Sequence, residues 1–481
     1  MVTKRCPSLG ALRIVSSLLI GMFRFRKELT DELPVFKTIL KYEFAEMPGK
    51  PKMVVVSQIS PNIAHRPLGR WRLSVDLLTC RCPPRAMRQT LRTGNYRKME
   101  TLNLVPAYPP LPFPIPVWLM QTLLILGFYL HALPMNVIWG GSIISAVLFF
   151  LGRGNANSFC FRSAKALAIS LPLFISFAIT QGIVPLLFLQ LLYGPAFYVS
   201  SILMATFWLG LLGILLVSYY VAYYIIYRVL KGEFGRNTAV KAACLMISIF
   251  VAFALIASLF SNNLTLMQTP EKWLPLYSSS PHGMNLNTNE PQLVPRYLHF
   301  FVASIAVAGM TLGCFGLYLK KRNEDFSKWL LKTGSRIFLV ATVLQIPIGL
   351  WFLKTIPAQF ASAFMGADTL VTVTFAVSMT LMLLAIVCTS ISSGSGGSKA
   401  FVAGLIANAL LILAMIVNRH QLRLMYLNPH IKPDLVAVNT QWDLLAIFLV
   451  STVALIFYLV WLCRLVWSAY HPVSTQNVAS S

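Results

Sequence analysis

Acidic side chains are scarce: 481 residues hold 15 Asp and Glu against 40 Lys and Arg, and charged residues of either sign make up only 11% of the chain. Soluble domains carry roughly 25% charged residues, so a soluble enzyme is excluded. The eight cysteines, Cys6, Cys80, Cys82, Cys160, Cys244, Cys314, Cys388 and Cys463, contain no CxxC pair and no CxxCH. Covalent c-type haem attachment, a dithiol redox motif and a cysteine-rich zinc module are thereby excluded. No carboxylate lies inside any long apolar run; Asp368 and Asp443 stand only at the ends of such runs. A proton pump or a cation-coupled carrier needs a buried carboxylate, and both lose ground. No internal repeat is present, which weighs against an inverted-repeat transporter.

What the chain has in abundance is apolar surface: 57% of its residues are hydrophobic and the mean hydropathy is +0.68. A helix needs about 20 apolar residues to cross a bilayer. After the proline-rich lead-in at 106–116, such runs recur at 117–151, 166–192, 196–227, 239–261, 297–319, 335–353, 367–390, 400–418 and 443–467. The fold class is therefore all-α, a polytopic transmembrane bundle of about nine helices. A break is expected in the second run at Gln181, Gly182 and Pro185. A flexible connector is expected at 392–398, reading SSGSGGS. If the segment before the first run faces outward, inner loops carry 15 Lys and Arg and outer ones 6. That bias places the Met99 side outside and the C-terminus in the cytoplasm. Trp118, Trp273, Trp351 and Trp442 then mark the outer interface, and Trp329, Trp461 and Trp467 the inner one.

Domain organisation follows the composition. Residues 1–98 hold 19 Lys and Arg with 6 acids and show no sustained period. They read as a basic, poorly structured extension, and Met99 is a candidate true start of an over-extended reading frame. A targeting segment at 9–23 and a basic arm gripping anionic lipid are the alternatives. The arm lacks interleaved aromatics, so nucleic acid is not a partner; the lipid bilayer is. Residues 99–481 form the transmembrane domain, with a 33-residue outer loop at 262–294.

Polar chemistry at membrane depth reduces to histidine. His131 lies within the first run, with Pro134 and Met135 following. His299 lies one turn into the fifth, and His420 closes the eighth at the outer interface. Each could hydrogen-bond a neighbouring helix or hold a haem iron. The small residues Gly140, Gly141, Ala303, Ala306 and Ala308 would let helices, or helices and a flat macrocycle, approach closely. Arg296, one turn before His299, could pair with a haem propionate or anchor its helix at the interface. Arg419 and Arg423 lie four residues apart, on one helical face. They read as an outer basic cluster that docks an acidic partner or a propionate, or anchors to lipid headgroups. His65, His282, His430 and His471 read as solvated. Tyr219, Tyr220, Tyr223, Tyr224 and Tyr227 read as interfacial anchors rather than a quinone site.

At GFYLHALPMNVIWGG and PRYLHFFVASIAVAG the chain resembles bacterial b-type membrane cytochromes, nearest subunit I of the cytochrome bd quinol oxidases. The resemblance covers two short motifs and the helix count. It implies that His131 and His299 bind haem b, both on one iron or each on its own with His420 or Met135 as second ligand, and that quinone is a substrate. It departs from that family in lacking a GRQPW-like motif, a long loop between the sixth and seventh runs, and intramembrane glutamates, so oxygen reduction is not expected. The implied function is a haem b subunit of a respiratory electron-transfer complex in the bacterial inner membrane. It would move electrons between quinone and an outer-surface redox subunit such as a multihaem cytochrome c. The competing readings are a solute permease, suggested by Gln181, Gln190 and Gln345 at membrane depth, and a non-catalytic membrane anchor.

Overall fold

The computed structural model describes residues 105–470, apart from Pro110 and 232–234. The expectations for residues 1–98 and for His471 lie outside the described residues. Among the described residues there are eleven α-helices: α1 Val117–Leu151, α2 Phe159–Leu203, α3 Ala205–Lys231, α4 Arg236–Met267, α5 Trp273–Ser279, α6 Leu293–Leu319, α7 Glu324–Thr355, α8 Ala358–Ser362, α9 Thr369–Ser395, α10 Ser398–Leu427 and α11 Trp442–Tyr470. Eight of them, all but α5, α8 and α11, are long and apolar enough to span a bilayer. α11 lies outside the compact unit formed by Lys98–Gln441, and its described apolar stretch is Trp442–Leu455. The protein is an all-helical integral membrane protein. No strand forms among the described residues; a single bridge joins Phe113 to Val438, tying the proline-rich lead-in to the segment after α10.

Helix boundaries follow capping chemistry. Ser158 starts α2 by accepting from the Phe161 N–H. Asn323 starts α7 in the same way, with Glu324 and Asp325 in a first turn where negative charge is favoured. Asp368 caps α9 through the Val371 N–H, which explains a carboxylate standing at a span end. α9 runs on to Ser395 and stops at Gly396, whose φ of 72° suits glycine. Most of the expected 392–398 connector is therefore helical.

α1 and α6 are central: 72% and 56% of their most apolar stretches are buried inside the protein, against 17–33% for the other six spans. α1 packs against α2, α4, α6 and α10, and α6 against α7 as well. The α1–α6 crossing is at Gly140, where a Cβ would sit 2.1 Å from the Ser304 carbonyl oxygen. Gly140 thus serves helix packing, as small residues do between membrane helices. One cluster around Ile138, Phe149, Leu167 and Met246 and another around Met310, Phe338 and Phe401 fill the interior.

Three expectations need correction. α2 passes straight through Gln181, Gly182 and Pro185; its irregular residue is Tyr193, at φ −130° and ψ 26°, just before Pro195. A proline disfavours helical geometry shortly before it, and the reversal into α3 comes at Met204 rather than near 195. Second, the expected outer loop 262–294 is largely structured. α4 continues to Met267, α5 follows, and Asn262, Asn263, Asn285 and Asn287 are buried in hydrogen bonds that fasten this cap to the helix ends. Third, Trp273 is not an interfacial belt residue. It is buried, and its Nε1 donates to the Leu266 carbonyl at 2.8 Å.

Candidate functional site

The helix ends at 117, 267, 293 and 427 share one end of the bundle, the one that the loop charges assign to the outer side. His131 of α1 sits in this half with its Nδ1 2.8 Å from the Ala178 carbonyl of α2. A carbonyl only accepts, so Nδ1 carries the proton and Nε2 is left bare, the tautomer that hydrogen-bonded metal-ligating histidines use. The ring lies over Gly182, where a Cβ would be 2.9 Å from both Cε1 and Nδ1. His299 of α6 turns instead toward α7: a Cβ on Gly349 would be 3.6 Å from its Cε1. The two rings therefore pack against different helices, and the structure does not bring them onto one shared face. Met135 lies half-buried one turn past His131 and joins none of these contacts.

His420 is not at the interface. α10 extends seven residues beyond it to Leu427, and the side chain is buried with neither ring nitrogen hydrogen-bonded. Nor do Arg419 and Arg423 form a surface patch. Arg423 is 6% exposed, its guanidinium 6.0 Å from the Tyr193 ring. Arg419 stacks over Phe128 of α1 at 4.2 Å and faces Phe300 of α6 at 5.6 Å. Docking an acidic protein partner needs exposed charge, so that expectation fails on burial. Arg296 is likewise 6% exposed; it donates to Gln268 Oε1 at 3.1 Å. Rather than anchoring α6 at an interface, it turns inward. His282 and His430 are exposed, as expected.

These side chains converge. Arg419 lies between Phe128 of α1 and Phe300 of α6, the latter one turn beyond Arg296, and Gln292, one turn before Arg296, donates to the Tyr426 hydroxyl of α10 at 3.3 Å. Buried polar atoms lacking a hydrogen-bond partner concentrate on the same helices and at the N-terminus of α6: Gln292 Oε1, His299 Nδ1, Arg419 Nε, both His420 nitrogens, Asn136 Oδ1 and Trp139 Nε1. Such orphans are rare in native proteins and call for a specific explanation. One nearby carboxylate, Glu290, is spent on Lys272 at 2.6 Å and on Gln292 at 2.9 Å. Gln268, Glu290 and Gln292 were missed by sequence reading. For Gln268 the signal was the polar run NNLTLMQT, most of which continues α4 instead of ending it.

At that same end of the bundle, Tyr108 of the lead-in donates to the Leu192 carbonyl beside the kink at Tyr193. Burial, with Tyr193 and Asp434 nearby, pushes the Tyr108 hydroxyl well above its ordinary range, so it remains a donor at any physiological pH. A second polar cluster, Thr374 and Ser378 of α9 with Asn418 and Gln421 of α10, is internally satisfied and serves packing. The tyrosine ladder is tied to α2 through Ser176 and Tyr219 at 3.0 Å.

A helical membrane bundle with buried histidines and arginines in one half is the class of protein defined by these features. No known protein family and no curated protein matches the sequence. The fold is similar to a solved structure of the bd oxidase from Geobacillus thermodenitrificans, with a TM-score of 0.57 over 74% of this chain and 99% of that chain, at 12% identity. The likeness is one of fold, and it agrees with the distant resemblance carried by the two histidine motifs.

Proposed function

We propose that the protein is a haem-binding membrane subunit of a respiratory electron-transfer complex. Its work would be to pass electrons between membrane quinone and a redox partner at the outer side. The observation that carries the reading is the set of helix-borne imidazoles in the outer half with nitrogens free of protein partners: Nδ1 of His299 and both nitrogens of His420. His131 supports it differently, since its bond to Ala178 leaves Nε2 bare and aimed by a rigid helix. The residues fit the group, because a haem supplies iron to unpartnered imidazoles and two carboxylates to guanidiniums that have no carboxylate partner among the described residues. Bound haem b would supply one-electron chemistry. The chain's own part is to hold the imidazoles neutral, keep water out with the apolar helices, and set the distance to the outer end.

Because His131 and His299 pack against different helices, each would serve its own iron, with His420 completing one of the two sites. The bd oxidase likeness favours a quinol-linked role over a permease.

The test is the reduced-minus-oxidised optical spectrum of the purified protein with His131→Ala, His299→Ala and His420→Ala. Each variant should lose or shift part of the α-band while staying in the membrane. A wild-type protein without haem, or three variants with an unaltered spectrum, would refute the assignment.

A further inference from the structure

We propose that Arg296, Arg419 and Arg423 form an internal binding site for a ligand bearing at least two negatively charged oxygens, carboxylate or phosphate. Arg296 and Arg423, each 6% exposed, and Arg419, half-buried between Phe128 and Phe300, lie toward one end of an apolar bundle, and among the described residues none has an ion pair with a carboxylate. Each guanidinium offers five N–H donors. Arg296 uses one on Gln268, Arg419 has a buried Nε with no acceptor, and Arg423 faces the Tyr193 ring. Aromatic faces ease a cation but do not neutralise it. Like charges crowded in a low dielectric repel, and an uncompensated buried charge destabilises the fold strongly. Intramembrane arginines characteristically find a partner or line a functional cavity, and among the described residues no carboxylate pairs with these three; Glu290 is engaged by Lys272.

The geometry narrows the ligand. Arg419 and Arg423 are one turn apart on α10, on the face turned to α1 and α2, while Arg296 comes from α6. The donors thus come from two helices, an arrangement that suits two oxyanions or one phosphate held by planar forks. His420, between the two arginines in sequence and unbonded, adds a neutral donor. Two sources share this chemistry: the paired carboxylates of a haem and the phosphate of an anionic lipid headgroup. The site shares His420 with the proposed haem reading, but its arginines do not require that the ligand be haem.

The experiment uses the full chain purified in mild detergent, as wild type, as the Arg419→Gln/Arg423→Gln double variant and as Arg296→Gln. Native mass spectrometry counts haem and phosphatidylglycerol retained after delipidation and after each is added back. Thermal unfolding is followed with and without the added probe. Wild type should hold one equivalent of haem or of phosphatidylglycerol, and the variants should hold it about tenfold more weakly. Stripped of ligand, the variants should unfold at a higher temperature than wild type, because a repelling charge has gone; with ligand present the order should reverse. A merely structural role gives no such reversal.

Phosphatidylglycerol held by wild type and lost in the variants, with no haem, supports the anion site and overturns the haem reading. Haem held equally by all, with no difference in lipid, overturns the anion site and leaves the haem reading standing. Retention of neither probe overturns the site. Should the double variant fail to accumulate, Arg419→Lys takes its place, keeping the charge but not the fork, and unchanged ligand retention there is likewise contrary.

Discussion

The Gly182→Ala substitution tests whether the His131 ring is held where it is by its neighbours. An added Cβ would lie 2.9 Å from Cε1 and Nδ1, whereas carbon contacts settle at about 3.5–4.0 Å. The ring must therefore retreat by about half an ångström or more. Its tether is the single bond from Nδ1 to the Ala178 carbonyl at 2.8 Å, and such bonds weaken beyond about 3.2 Å. The lost bond is worth about 0.5–1.5 kcal/mol, partly offset because Ala is the better helix former by about 1 kcal/mol. Global stability should hardly change. The local consequence is larger, because the carbonyl no longer fixes which ring nitrogen is bare. In detergent the unfolding midpoint should shift by no more than about 2–4 °C, while the spectrum of bound haem should broaden or move. Gly210→Ala on α3, where a Cβ meets nothing within 4 Å, is the control. If Gly182→Ala matches that control in both spectrum and midpoint, the ring is not pinned and the argument for a prepared Nε2 fails.

Three further outcomes are expected. Gly140→Ala should destabilise by about 1–3 kcal/mol or more, since its Cβ meets the Ser304 backbone at 2.1 Å; Gly141→Ala, with nothing nearer than 3.8 Å, should be neutral or mildly stabilising in the same unfolding assay. Asn418→Ala removes the bonds to Thr374 and Ser378 and should cost about 1–2 kcal/mol, with no effect on any haem spectrum. Tyr108→Phe should cost about 0.5–1.5 kcal/mol. Because the folded state holds this hydroxyl's pKa above the ordinary 10.0, the wild-type advantage should be constant at neutral pH and fade only as the pH rises past that value. A difference that already changes between pH 6 and 8 would contradict the hydrogen bond as its source.

Much of the fold was legible because hydropathy acts over a local window. Eight of the nine apolar runs correspond to helices of spanning length, and the first was placed to the residue at 117–151. The errors came where a run's end depends on contacts. Tyr193 and Pro195 read as a gap between spans, yet the helix resumes and reverses only at Met204, against which the 283–285 segment hydrogen-bonds at Leu203 and Thr206. Asn262 to Gln268 read as a loop because they are polar, yet most are buried, and Asn263 is satisfied by Ser201, 62 positions away.

By itself the sequence determined the class of protein, since apolar composition and the length of apolar runs fix whether a chain can be solvated by water or by lipid. It determined the candidate histidines too, because ionisable residues at membrane depth are few enough to list from their positions alone. It also supplied the loop charge bias, and the structure sharpens this: three of the six cations counted outside, Arg296, Arg419 and Arg423, are inside the bundle. Which way a side chain points around a helix, and which helix it meets, belongs to the tertiary structure. Spacing of four put Arg419 and Arg423 on one face without saying whether that face met lipid, water or α1. Packing of α10 against α1 and α6 turned an apparent surface patch into a buried cluster of like charges, because burial is a property of neighbours far apart in the chain.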